Sequence, residues 1–476
     1  MIRSARLLAG ALVTGMAASP AGATPSGIAT YRPELADQFQ VARLEDNIPA
    51  DPAARLAWAR ALAFGATIYG TPAVLIYRQM FDQVFAPGPA ATGFSVFAHG
   101  RSLAGPGYRP FKTPNADTLY SNAYLDLRRA PVRFEVPDTA GRYFTANFLD
   151  MFGNATNISA RTRGTGAGRY LIAPVGWEGT VPEGFTVFRV PGRFAWILLR
   201  VLADGPADTR IANGLQDRFR LIPMQDGLPE AVPDGHDDSA AGFLRALDFV
   251  LRGNGIPEGE AGLVARFRGI GIGGERSVDA ALADPQVRAG VEAGYAEARQ
   301  VIRAGMGQNG RKRDHWSEPK DVGRYGYDYL YRASINTLGT GGNVPDENFP
   351  FTTFEDEQGQ PLDGARGDYQ LHLQAPPPAR YFWSVTVYDG RTFQLHQNPA
   401  GKYQAGNRTR GLRIECDGSL ILRFTAGSTA SRPGSNTLPI PRGPFYVVIR
   451  SQGPEQALLR GEWRPAPIRL MTGAGK

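Results

Sequence analysis

The chain has 476 residues, 42% of them hydrophobic, a net charge of +7 and one cysteine, Cys416. That length can bury large cores, and one cysteine means that no internal disulfide holds them. The charge is scattered, with Gly310 to His315 as the one basic cluster, which argues against a nucleic-acid partner.

In chain order, Arg3 and Arg6, an apolar run from Leu7 to Met16 and Ala21-Gly22-Ala23 predict a secretory signal over residues 1–23. Cleavage before Thr24 would leave a periplasmic or secreted protein, and no later segment reads as a transmembrane anchor. Residues 24–112 read as a helical region in which Leu56, Ala59, Leu62, Ala63 and Ala66 recur at helical spacing. Pro72 predicts a break into two helices, the second capped by Thr71.

Residues 113–235 change to short runs rich in Val, Phe, Tyr and Thr, bounded by turn residues, which predicts antiparallel strands. Residues 236–338 read as helical again, with Ser239 capping a helix that closes at Gly253 and a later pair divided near Pro285. Residues 339–476 return to strands, where Asp417-Gly418 predicts a hairpin with Cys416 as an inert strand residue. The expected fold class is mainly β with helical additions (α+β), built on two antiparallel β-sandwich domains.

The stretches "TPNADTLYSNAYLDL" and "VPDTAGRYFTANFLDMFGNATNISARTRGTGAGRYLIAPVGWEG" resemble the domain-of-unknown-function family 1254. "RYFWSVTVYDGRTFQLHQNPAGKYQAGNRTRGL", "LPIPRGPFYVVIRSQGP" and "GEWRPAPIRL" resemble its usual C-terminal partner, family 1214. The resemblance implies two jelly-roll-like β domains in an exported bacterial protein, and it implies no particular reaction. Two departures stand out: Val190-Pro191-Gly192 where relatives have Ser-Pro-Thr, and Asn407 where they have Asp.

Four constellations could carry chemistry. After the Pro114-Asn115 turn and Asp117, one strand face presents Tyr120, Asn122 and Tyr124, suited to stacking and hydrogen-bonding a ligand or to covering the sheet. In "RYFTANFLD", Tyr143, Thr145 and Asn147 extend such a face if the strands are neighbours. In "RYGYDYLYRASIN", helical spacing joins Tyr325, Asp328, Tyr329 and Arg332, as an anion clamp or as a buried ion pair. In the fourth, Trp383 faces one way and Tyr388 the other, and His396 is the best-placed acid or base.

"GIGIGG" lacks the context of a nucleotide loop, "DGHDD" fits an acidic helix start, and the five histidines show no metal-ligand spacing. The expectation is an exported, cofactor-independent enzyme without a metal, a lyase or hydrolase. Its catalytic groups would be Tyr120, Arg332 and His396. Asn115, Asp117, Asn122, Tyr124, Asn147, Tyr325, Tyr329, Trp383 and Tyr388 would hold a small aromatic, amphiphilic or sugar-like molecule. The alternatives are a non-catalytic periplasmic binding protein and a structural envelope component; a homo-oligomer is compatible with each.

Overall fold

The computed structural model describes residues 48–88, 91–108, 112–225, 231–306, 310–426 and 434–471; the signal segment lies outside them. The chain opens with helix α1 (Pro52–Met80), capped by Asp51 and continued by a π-helical turn, Phe81–Phe85. Pro72 does not divide it, contrary to the expectation from sequence. Thr67 and Thr71 return their hydroxyls to the carbonyls four residues earlier, and packing against other helices holds both halves in line.

Among the described residues the strands that follow are β1 (Ala98–His99), β2 (Thr118–Asp126), β3 (Val132–Val136), β4 (Phe144–Leu149), β5 (Ala155–Ser159), β6 (Gly168–Pro174), β7 (Thr186–Val190), β8 (Phe194–Leu202) and β9 (Arg220–Pro223). Short helices α2 (Ala160–Arg163) and α3 (Gly205–Gln216) are inserted among them. The strands form two sheets, ordered β1-β2-β8-β4-β5 and β7-β6-β3-β9. Leu119, Ala123 and Leu125 of β2 meet Phe134 and Ile172 of the second sheet in a shared core.

The other face of the first sheet carries a helical layer. It comprises α1, α4 (Ala240–Asn254), α5 (Ala261–Ala265), α6 (Val278–Leu282), α7 (Pro285–Gly305) and, after the hairpin of β10 (Gly310–Arg313) and β11 (Trp316–Pro319), α8 (Tyr329–Leu338). Ser239 caps α4 as expected, but the helix runs past Gly253 to end at Gly255. A side chain at Gly294 would place its Cβ 2.2 Å from the Arg60 carbonyl, so glycine there lets α7 close on α1. That burial explains why α1, though long and apolar enough to cross a membrane, lies largely inside the protein.

The C-terminal block adds β12 (Asn348–Thr353), β13 (Tyr369–Leu373), β14 (Ala379–Asp389), β15 (Gln404–Gly406), β16 (Leu420–Thr425), β17 (Thr437–Pro439), β18 (Phe445–Pro454), the short helix α9 (Gln456–Leu459) and β19 (Arg469–Leu470). Its sheets are ordered β10-β11-β12-β18-β14-β15 and β17-β16-β13-β19 around a core that includes Trp383, Val385, Leu371 and Ile449. The Asp417-Gly418 turn forms, yet only its C-terminal arm is a strand, and Cys416 is exposed beside the turn rather than paired in a sheet. The architecture is thus β-rich with helical additions, in open sheets that are antiparallel apart from the β6–β7 and β16–β17 pairs.

Candidate functional site

Register places the residues of the first sheet in rows. Tyr120 lies beside Arg200, which lies beside Thr145 and then Ser159; Asn122 is followed by Leu198, Asn147 and Asn157; Tyr124 by Trp196, Leu149 and Ala155. One face is therefore polar at one end and apolar at the other. The helical layer covers the apolar end, where Tyr124 stacks on Trp196, whose indole N–H donates to Asn122. The segment 339–347 covers much of the polar end: Arg200 donates to the Gly341 carbonyl, Asn147 to that of Gly342, and Asn157 to the Asn343 side chain. Glu347 closes the row by accepting from Tyr143, Ser159 and Arg161.

The second constellation within this face is the meeting of the two β domains. Alternation on β14 and β18 sends Trp383, Val385, Val447 and Ile449 into their own core, and turns Ser384, Thr386, Tyr388, Tyr446 and Arg450 the other way. The turn Thr113 to Asp117 packs on that face. Asp117 accepts from Ser384 at 2.7 Å and from Gln404 at 2.6 Å. Tyr388 donates to the Pro114 carbonyl at 2.6 Å and accepts from Arg450 at 2.6 Å. Arg450 donates also to the Thr113 carbonyl, and the Asn115 backbone N–H donates to the Tyr120 hydroxyl. Asn115, Asp117, Tyr120 and Tyr388, all singled out from sequence, come together here.

Burial sets the electrostatics of this junction. It pushes the Asp117 carboxyl above the ordinary carboxylate range, against the hydrogen bonds from Ser384 and Gln404. It also pushes the Tyr388 phenol up to about 12, with Arg450 opposing. Both Thr113 (φ 55°) and Phe393 (φ 59°) are non-glycine residues in the left-handed region, and the Thr113 N–H donates to the Phe393 carbonyl at 2.9 Å. Backbone strain of this kind persists where surroundings over-determine it and gathers at functional sites.

Beside this pair of loops opens a recess of about 420 Å³, lined by Pro106, Asp389, Thr392, Gln394, Leu395, His396 and Gln397. Burial lowers the His396 pKa, while Asp389 opposes the shift. A second recess, of about 460 Å³, lies in the helical layer, but its Arg245 is already paired with Asp237 and Asp279 and its Arg288 donates to the Leu282 carbonyl. Its Arg245 is committed to two carboxylates, and the recess lies apart from the sequence-selected residues that meet at the junction, so the junction is the stronger candidate.

The remaining sequence-selected residues lie elsewhere. Arg332 is sealed in the helical layer, 3.5 Å from Glu260 and surrounded by the rings of Tyr69, Phe152 and Tyr329. The expected partner, Asp328, instead caps α8, because the helix begins only at Tyr329 and Tyr325 precedes it. Tyr124 and Asn122 sit at the Trp196 end of the sheet, Asn147 beneath the 339–347 segment, and Trp383 in the C-terminal core. Arg332 thus lies apart from Tyr120 and His396. Alternation along β14 puts Ser384 on the Tyr388 face, but sequence reasoning passed over Arg200, Arg450 and Gln404, which lie on the neighbouring strands β8, β18 and β15 and are reached only through strand pairing.

Fold and junction together define a protein of two open β-sandwiches joined through a polar interface and a helical layer. Residues 94–223 match the family described as "Protein of unknown function (DUF1254)" and residues 347–456 the family described as "Protein of unknown function (DUF1214)". The chain belongs to the proteins that carry these two domains in this order. Among solved structures it is similar to the VPA0106 protein from Vibrio parahaemolyticus, with a TM-score of 0.67, 24% identity, and coverage of 87% of this chain and 100% of that one. It is also similar to a putative uncharacterized protein from Burkholderia cenocepacia, with a TM-score of 0.43, 13% identity, and coverage of 90% and 93%. No curated protein matches the chain.

Proposed function

We propose that this is an exported protein, periplasmic or secreted, that binds a small hydroxyl-rich, sugar-like molecule in the recess beside His396. The observation that carries the reading is the pair of left-handed residues, Thr113 and Phe393, hydrogen-bonded to one another at the edge of a concave polar surface. The lining supports a polyhydroxylated ligand, since Asp389, Thr392, Gln394, His396 and Gln397 offer both donors and acceptors, with Pro106 and Leu395 as an apolar side for the faces of a sugar ring. Binding is favoured over catalysis because Arg332, the group that would stabilise an anion beside an acid or base, is sealed in the helical layer against Glu260.

A hydrolase is the second reading, favoured by one observation. The lowered His396 pKa leaves a neutral imidazole at pH 7, beside Asp389, able to take a proton from water. Titration of the mature protein with neutral sugars and polyols, with product analysis of the same mixtures, tests both. Binding that His396→Ala and Gln397→Ala each weaken by at least about tenfold, without turnover, fits the first reading. Turnover lost in His396→Ala fits the second, and sugar binding indifferent to both substitutions rejects the recess.

A further inference from the structure

Buried Arg332 is answered by a carboxylate, Glu260, and so are the partly exposed Arg142 and Arg161, by Asp208 and Glu347. Two arginines at the junction are not. Arg450, 7% exposed, donates to Tyr388 and the Thr113 carbonyl, with no carboxylate in ion-pair contact among the described residues. Arg200 donates one Nη2–H to the Gly341 carbonyl, while its Nη1 is buried without any hydrogen-bond partner. Asp117 is near enough to Arg450 for its charge to be felt, but its oxygens already accept from Ser384 and Gln404, and burial biases it toward the neutral acid.

Tyr120 lies within electrostatic reach of both arginines. The Arg200 guanidinium lies over Tyr120 at 5.5 Å, and Tyr120 is also among the groups that act on Arg450. Close by in the fold, Thr118 and Thr386 are almost wholly buried and their hydroxyls have no partner; Thr118 follows Asp117, and Thr386 is two residues from Ser384. Orphaned buried donors beside uncompensated positive charge are costly unless a guest satisfies them. Tyr108 connects this place to the recess: its ring packs on Tyr120 at 5.9 Å and joins the apolar cluster of Leu395 and Tyr388.

We infer that Arg200, Tyr120 and the unpartnered threonine hydroxyls form a carboxylate-binding subsite at the inner end of the junction. The inference deepens the recess reading and rests on it for the remainder of the ligand, which becomes an acidic sugar-like molecule. One unpartnered guanidinium NH2 group with neutral hydroxyls around it suits a monoanionic carboxylate better than a doubly charged phosphate or sulfate.

The test is calorimetric titration of the mature protein with glucuronate, glucose, acetate and inorganic sulfate at constant ionic strength. Glucuronate is expected to bind at least about tenfold more tightly than glucose, acetate to compete with it, and Arg200→Gln to bring glucuronate down to the glucose level, with Arg200→Lys retaining part of the preference. Equal binding of the two sugars by the wild-type protein overturns the inference whatever the variants do, and so does a preference that survives in a folded Arg200→Gln protein. Sulfate outcompeting acetate overturns the assignment to carboxylates. If glucose binding depends on His396 but glucuronate has no advantage, the recess reading stands and this one falls. If acetate and glucuronate bind through Arg200 while His396→Ala and Gln397→Ala change nothing, the reverse holds; binding by none of the probes rejects both.

Discussion

Arg332 and Arg450 are both closed off from solvent, yet they are stabilised in opposite ways. In the helical layer Arg332 faces a buried carboxylate, Glu260, which also accepts from the Tyr69 hydroxyl at 2.7 Å. At the junction Arg450 is held by a phenol and a backbone carbonyl. The first arrangement matches charge with charge, although the Arg332 Nε has no hydrogen-bond partner, and ties α8 to α1 and the segment before α5. The second leaves positive charge partly unanswered where two domains meet a recess. Burial of an arginine alone therefore does not distinguish a structural group from one available to a ligand; the identity of its partner does.

The largest expected effect comes from breaking the charge-matched pair. Arg332→Met strands Glu260 in the core and should destabilise the protein by about 3–5 kcal/mol, read as a fall in the thermal or urea midpoint. Replacing Glu260 with Leu in the same protein should recover much of that loss, because no unpaired charge remains. Arg450→Met strands no carboxylate and should cost only about 1–3 kcal/mol, the scale of its lost charge-assisted hydrogen bonds. A cost equal to that of Arg332→Met would erase the contrast.

Tyr388→Phe keeps the ring stacked on Tyr446 but removes the hydroxyl shared by Arg450 and Pro114, for an expected loss of about 1–2 kcal/mol in denaturant titration. The smallest effect is a slope. Because burial raises the Asp117 pKa, the folded protein holds its proton at pH values where the unfolded chain has released it. Stability should therefore fall as pH rises from the ordinary carboxylate pKa through the raised one. Asp117→Asn should flatten that part of the profile, and an unchanged slope in melts across pH would show that Asp117 is not its source.

The sequence carried the strands better than their surroundings. Alternation in Thr118 to Asp126 marked Leu119, Ala123 and Leu125 as core and Tyr120, Asn122 and Tyr124 as the other face, and that division holds. It could not show that two coverings share that face, since segment 339–347 reaches it only through tertiary folding. The Arg332 cluster was legible as a choice between clamp and ion pair; its partner, Glu260, is 72 positions away by simple difference in numbering and no helical spacing reaches that far. Pro72 misled because local propensity predicts a break, whereas α7 and the threonine back-bonds keep α1 continuous. Asn115, Asp117, Tyr120 and Tyr388 were found because each sits on a turn or alternating strand; Arg200 and Arg450 looked like ordinary strand residues until their missing carboxylates were visible.

Segment 339–347 has one more consequence, for how the chain can be divided. Judged by strand and helix content, a cut near residue 338 would release the N-terminal part intact. Such a fragment would lack Gly341, Gly342, Asn343 and Glu347, and so would uncover Arg200, Asn147, Asn157, Tyr143, Ser159 and Arg161 at once. The first β-sandwich is completed by residues that follow the whole helical layer. A fragment ending at 338 should express as an aggregating species, while one carried through Glu347 retains the cover, although the two differ by only nine residues.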